Sequence, residues 1–252
     1  MPSVFMYAPE NFPDVHPGMD LPAIIVDVLR NSHHTPKTGD ILVVAQKIVS
    51  KAEGRIVDLR EIAPSEKALT LAREADRDPR LVEVILREAR AILRVRPGLI
   101  IAEHRLGFIC ANAGVDHSNV GGGEDVVTLL PSDPDASAQA IKRAVDEAFG
   151  VDVAVIINDS HGRPFREGAV GVCIGVAGMD PLRSYVGMVD RYGYVLRSSV
   201  EAIADELASA ATLLMGQAGE GRPLVVIRGI AFQGGERGAR ALLRDPSRDL
   251  FR

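Results

Sequence analysis

Val153-Ala154-Val155-Ile156-Ile157-Asn158-Asp159-Ser160-His161-Gly162-Arg163-Pro164-Phe165-Arg166 sets an apolar, β-branched run directly before a carboxylate and a hydroxyl. Val153 to Ile157 is too short for an independent helix and too uniformly apolar for a surface strand, so it reads as a buried strand ending at Asp159 and Ser160. Ile41 to Ala45, Leu99 to Ala102, Val170 to Val176 and Leu224 to Ile227 share this character. Helical patterning fills the intervals over Leu21 to Arg30, Ser65 to Ala75, Arg80 to Leu93, Ala136 to Phe149 and Val200 to Leu214. Asp78-Pro79 and Asp133-Pro134 each match an N-cap followed by a proline whose missing N–H the first helical turn does not need. Ser198 and Glu201 have the spacing of a capping box for the last helix. Strands and helices intermix throughout, which predicts an α/β or mixed α+β fold around a mixed sheet, its strand order left open.

The 252 residues suffice for one large domain or two small lobes, and 46% hydrophobic with 25% charged residues is an ordinary globular balance. A net charge of −5 opposes general attraction to nucleic acid or anionic membrane. Cys110 and Cys173 lie in apolar stretches without metal-type spacing and read as reduced core thiols. Met1 to Asp20 has no secretory pattern and no segment has bilayer-spanning length, so a cytoplasmic protein is expected. Gln233 to Arg252 carries arginines at 237, 240, 244, 248 and 252 and reads as a short basic tail with a solvated helix face.

Polar residues gather where these strands end, and loops held by a rigid scaffold commonly carry function. After Phe108 to Ala111 comes Asn112-Ala113-Gly114-Val115-Asp116-His117-Ser118-Asn119, where Asp116 can bind a hard cation and Asn119 can donate and accept. Read alone, this segment is a strand-capping Asx turn. Asp159 and Ser160 supply oxygens suited to Mg²⁺ or Mn²⁺, and Arg163 and Arg166 supply forks for phosphate or carboxylate; read singly they are a turn aspartate and surface ion pairs. His161 reads as an exposed turn histidine. Gln46 to Gly54 holds Lys47 and Lys51, which can neutralise polyphosphate, although composition alone makes this a solvated loop. Met215-Gly216-Gln217-Ala218-Gly219-Glu220-Gly221-Arg222-Pro223 combines three glycines with oxygen donors, as either a helix C-cap and turn or a nucleotide loop. The chain has no phosphate-loop, dinucleotide or nucleophile-elbow signature.

Taken together, Gly39 to Val44, Ile48 to Arg55, Asn112 to Asp116 with Ser118-Asn119, Asp159-Ser160 with Gly162-Arg163, Leu213 to Gly216, and Val226 to Gly229 resemble the coenzyme F420-0:γ-glutamyl ligase family from about Val4 to Phe232. The resemblance implies a two-lobed mixed-sheet ligase fold in an intertwined homodimer, with residues 1–232 as the ligase domain and 233–252 as the tail. It implies GTP-dependent addition of L-glutamate to F420-0 or its glutamylated forms through an acyl phosphate, with two Mg²⁺ or Mn²⁺ ions and K⁺ as a further candidate. By position it implies Asp116, Asp159, Ser160 and Gln217 as metal ligands, and Asp116 and Asp159 with Arg163 and Arg166 as the catalytic set. The two arginines enter from their chemistry. Phe12, Pro13, Gln46, Lys47, Lys51, Asn119 and the Met215, Gly216, Gln217, Ala218, Gly219, Glu220, Gly221 loop are implied nucleotide contacts. Ser160 stands where threonine is common in the family and Gln217 where an acidic residue is common. The final Arg248 to Arg252 resembles a linker into a nitroreductase-like domain, and no fused reductase activity is expected. A ligase for another acidic metabolite and a non-catalytic nucleotide- or cofactor-binding module are the alternative readings.

Overall fold

The computed structural model describes residues 3–250. The chain runs β1 (Phe5–Tyr7), α1 (Leu21–Arg30), β2 (Ile41–Ala45), α2 (Gln46–Ala52), β3 (Ile56–Asp58), α3 (Glu66–Ala75), α4 (Pro79–Glu88), β4 (Ala89–Arg96), β5 (Leu99–His104), β6 (Ile109–Ala111), β7 (Val126–Thr128), α5 (Pro134–Phe149), β8 (Ala154–Arg163), β9 (Arg166–Ala177), β10 (Arg183–Ser184), β11 (Val200–Glu201), α6 (Ile203–Met215) and β12 (Leu224–Arg228). It is a mixed α/β fold, as the sequence predicts.

A five-stranded sheet in the order β1-β12-β2-β8-β9 forms the larger lobe. Only the β2–β8 pair is parallel. Ile41, Leu42, Val43 and Val44 are fully buried although alternate side chains point to opposite faces, which is why this run is apolar without alternation. Two glycines of β9 admit helix backbones: a Cβ on Gly171 would strike Ala208 and Thr212 of α6, and one on Gly175 would strike Pro134 of α5. Asp20, Asp78 and Asp133 accept the backbone N–H groups of Ala23, Arg80 and Ala136, each cap stabilising its helix by roughly 1 kcal/mol.

The smaller lobe has its own core, which includes Leu59, Leu81, Ile85, Ile100 and Val127. It is built from α3, α4, the β4-β5-β6 sheet and the β3-β7 pair. A seam of ion pairs joins the lobes. Arg55 donates to the Leu130 carbonyl and to Glu88, whose same oxygen also meets His104 and Arg105.

Several elements differ from expectation. The helix expected over Arg80 to Leu93 stops at Glu88, because Ala89 onward pairs with β5 as an antiparallel strand. Gln46 to Ala52 is a helix and no loop. Helix α6 begins at Ile203 after Ala202, with no side-chain cap; Glu201 lies in β11, where Arg183 and Tyr185 donate to it, so the Ser198 capping box does not form. Strand β8 continues past Asp159 to Arg163 because β9 pairs with it throughout.

The basic tail is no free helix face through its first half. Arg237 pairs with Asp180, the Ala239 N–H donates to Asp135, and Ala239 is buried in the main core. Its last two residues, Phe251 and Arg252, lie outside the described residues, as do Met1 and Pro2 at the other end. Both cysteines are free and buried. No helix among the described residues is long and apolar enough to cross a membrane.

Candidate active site

A cavity of about 660 Å³ opens where the lobes meet, within the range of small-molecule sites. Its walls are the β2–α2 junction, the segment after β6, the polar half of β8, and the loop between α6 and β12. Parallel pairing of β2 with β8 sets Ala45 opposite Asn158, so the chain turns into α2 beside the point where β8 becomes polar. Open α/β sheets place ligand sites at such strand ends.

On the β8 wall, Asp159 pairs with Val172 across β9, and its Oδ2 lies 2.9 Å from His161 Nε2. His161 is only 13% exposed and sits on the strand, so it is not the exposed turn residue the sequence suggested. Ser160 Oγ accepts from Gln217 Nε2 at 3.0 Å, which ties β8 to the glycine loop. Cys110 lines the same space; burial first and the Asp159 charge second push its thiol up to about 12.

On the opposite wall, Asp116 is held on both oxygens. Ser118 donates its N–H to Oδ1 and its hydroxyl to Oδ2, and Lys47 Nζ lies 2.7 Å from Oδ2. Burial pushes the Asp116 carboxyl up, but the Lys47 charge and these hydrogen bonds outweigh it and hold the group below its usual value. Asn119, at φ 54°, donates to the Ala218 carbonyl, a second tie to the glycine loop.

The glycine loop holds its own shape. Gly216 has φ 74° and ψ −172°, a conformation essentially reserved for glycine, and a Cβ there would collide with the Glu220 carboxylate. Glu220 in turn accepts the Ala218 N–H.

The cavity therefore gathers Phe12, Pro13, Gln46, Lys47, Lys51, Asp116, Asn119, Asp159, Ser160 and the loop residues Met215, Gly216, Gln217, Ala218, Gly219 and Gly221. Three of the expected residues lie outside its lining. Glu220 faces its own loop. Arg163 and Arg166 sit across from each other at the far end of the β8–β9 hairpin, where Arg163 donates to the Glu167 carbonyl. The cavity also includes residues that the sequence reading passed over. Asn158 is 5% exposed and leaves Oδ1 without a protein partner among the described residues, while Nδ2 faces Thr212 and Met215 of α6. Arg222 adds a cation to the glycine-loop wall. Its string stands out by its glycines and oxygen donors, and a lone guanidinium at the end of a turn carries no separate signal.

Among the described residues no three His, Cys, Asp or Glu side chains form a metal cage. Two carboxylates, a hydroxyl and a side-chain amide on one cavity nevertheless make a hard-oxygen set. That set fits Mg²⁺ or Mn²⁺ held by one or two carboxylates with further oxygen ligands.

A family model described as F420-0:Gamma-glutamyl ligase matches residues 10–229. The chain is 49% identical over 245 residues, 96% of each protein, to a protein of Methanothermobacter thermautotrophicus named Coenzyme F420:L-glutamate ligase. Proteins of the same name from Methanopyrus kandleri and Archaeoglobus fulgidus are 51% and 39% identical, covering 94% and 99% of this chain and 93% and 96% of their own lengths.

Proposed function

Because this chain belongs to the F420-0:γ-glutamyl ligase family, we propose that it joins L-glutamate to coenzyme F420-0, or to its glutamylated forms, by a γ-glutamyl amide bond at the expense of GTP. The observation that carries the reading is one cavity in which three carboxylates (Asp14, Asp116 and Asp159), two lysines, an arginine and a glycine loop converge. Phosphoryl transfer to a carboxylate brings several anionic oxygens together, and such a site must position and neutralise them.

In this reading the acceptor's terminal carboxylate oxygen attacks the γ-phosphorus of GTP. The bond to the β-phosphate oxygen breaks and GDP leaves with the electron pair. The ammonium of glutamate gives one proton to solvent, and the resulting amine attacks the acyl carbon; the amide C–N bond forms, the C–O bond to phosphorus breaks, and inorganic phosphate departs with the second amine proton. A divalent cation would supply charge neutralisation at the phosphates. Asp159, Ser160, Asp116 and Gln217 would hold it. Phe12, Pro13, Gln46, Asn119 and the Met215 to Gly221 loop would bind the nucleotide, with Lys51 and Arg222 facing its phosphates. His161 fixes the Asp159 carboxylate.

The segment between β10 and β11 exposes Val186, Met188, Val189, Tyr192, Tyr194 and Val195. We take a second copy of the chain to cover this arm, giving a homodimer in the cytoplasm. The test is phosphate release from GTP with Mg²⁺ or Mn²⁺, with and without L-glutamate and F420-0, while mass spectrometry follows the cofactor. A gain of one glutamyl unit per GTP cleaved is expected. Binding of F420-0 with neither change would leave only a binding module, and a gain on another acidic acceptor alone would reassign the substrate.

A further inference from the structure

We propose that Lys47 is the resident counter-ion of Asp116, a positioning residue that prevents a divalent cation from binding tightly before the nucleotide arrives. The inference rests on the reading that Asp116 helps hold that cation.

Lys47 leaves the first turn of α2, in the larger lobe, and crosses to the smaller one. Its ammonium lies 2.7 Å from Asp116 Oδ2 and 3.0 Å from Thr128 Oγ1, and its side chain is 15% exposed. Those two partners are themselves locked together. The Asp116 N–H donates to the Thr128 carbonyl at 3.1 Å, and the Thr128 N–H donates to the Asp116 carbonyl at 2.8 Å. Thr128 is fully buried. The ammonium is thus held by a rigid pair rather than swinging over the cavity as a mobile charge. Lys51, one helical turn further on, also lines the cavity and has no ion-pair partner among the described residues. It is the lysine left to meet phosphate.

The charge arrangement has a direct consequence. Oδ2 of Asp116 already carries two donors and Oδ1 one, so an incoming cation must share this carboxylate with an ammonium within bonding distance. Like charges at that range repel, and metal binding alone is weakened. When polyphosphate enters, its negative charge offsets both cations. Metal and nucleotide then load together, which guards the site against occupation by metal without substrate.

The experiment is Mn²⁺ titration of the full chain without nucleotide, read by the electron paramagnetic resonance of free Mn²⁺, on wild type, Lys47→Met, Lys47→Arg and Thr128→Val. Removing the charge in Lys47→Met is expected to tighten Mn²⁺ binding about tenfold. Lys47→Arg keeps the charge and stays near wild type. Thr128→Val, which loosens the ammonium, falls between. Unchanged or weaker Mn²⁺ binding by Lys47→Met, with GTP affinity lost, would make Lys47 a nucleotide contact and overturn the proposal. No binding by any of the proteins overturns it equally. Should Lys47→Met not fold, shown by circular dichroism, Thr128→Val carries the same comparison. Glutamylation by the wild type is scored separately: product without the Mn²⁺ shift sinks only the role of Lys47, and the shift without product sinks only the ligase.

Discussion

Asp159 and Asp116 reach one cavity from two lobes, and the lobes hold them by different means. Asp159 is set by strand pairing, with His161 on one oxygen and no protein donor on the other among the described residues. Asp116 is set by a turn and gripped on both oxygens by Ser118 and Lys47. Glu88 completes the series: behind the cavity, one of its oxygens meets Arg55, His104 and Arg105 together. The more a carboxylate is committed to its own protein, the less it has to offer a ligand. Chemistry should therefore depend most on Asp159, and stability most on Glu88.

The largest effect expected is on Asp159→Asn, which should lower kcat by about a thousandfold or more, by losing charge where phosphoryl transfer needs it. Its thermal midpoint should stay within a few degrees of wild type, since only the His161 contact changes. Steady-state phosphate release and a melting curve check both halves. Normal turnover with unchanged metal dependence would remove Asp159 from the site and collapse the comparison.

Glu88→Gln should do the reverse. Burial raises the Glu88 carboxyl, but the His104 hydrogen bond and the Arg55 and Arg105 charges outweigh it and hold the group at about 2, down from 4.5. A depressed carboxyl stabilises the fold fully above its unfolded value and loses that contribution as pH falls through its folded value. About 3 kcal/mol should therefore be present above pH 4.5 and disappear between pH 4.5 and pH 2. Urea unfolding of wild type across that window, beside Glu88→Gln, measures it as the difference between the two pH slopes, since Asp58, Asp78, Glu83 and Asp116 are also held low and titrate in both proteins. A variant as stable as wild type at pH 7 would show that this seam does not hold the lobes.

The same contrast explains what the sequence could convey. Strands β2 and β12 are legible almost to the residue because burial on both faces forces an unbroken apolar run. Helices α4 and α5 announce themselves through Asp78-Pro79 and Asp133-Pro134 at their starts. The apolar signal of β8 stops where its side chains begin to face the cavity, so a continuing strand looked like a strand end. Helix α2 has seven residues and no side-chain cap, too little for a helical period to register. Ala89 to Leu93 fits a helical stripe and a strand alternation equally, and pairing with β5 decides it. Asp116, Asp159 and the glycine loop stand out as polar clusters after apolar runs. The Lys47 to Asp116 pair spans 69 positions, and a single sequence carries no sign of such a partner.

Gly216→Ala tests whether the two aspartate regions act through one loop, since Gln217 reaches Ser160 beside Asp159 and Ala218 meets Asn119 near Asp116. A side chain at φ 74° would be strained and would displace Glu220, at a cost of roughly 1–3 kcal/mol. The expected outcome is a KM for GTP raised by about tenfold with kcat less affected. An unchanged KM would mean that the walls are set independently and the loop merely bounds the space.

The smallest effects belong to Arg163 and Arg166, whose chemistry suits anionic oxygens but whose position does not. Arg163 lies four positions along the strand from Asp159, or about 13 Å at the usual rise. Arg163 Nη2 is held by the Glu167 carbonyl at 2.9 Å, and its Nε is buried without a protein partner among the described residues. An acceptor whose carboxylate reacts beside Asp159 can meet these guanidiniums only with a distant part of its structure. Arg163→Ala and Arg166→Ala should therefore leave kcat within about twofold and raise the KM for F420-0 by no more than about threefold, the worth of an exposed ion pair. Separate KM measurements for GTP, glutamate and F420-0 decide the matter. A rise of about thirtyfold confined to F420-0 would extend the binding surface along the hairpin, and Asp159 would become one end of a long groove rather than the open wall of a compact cavity.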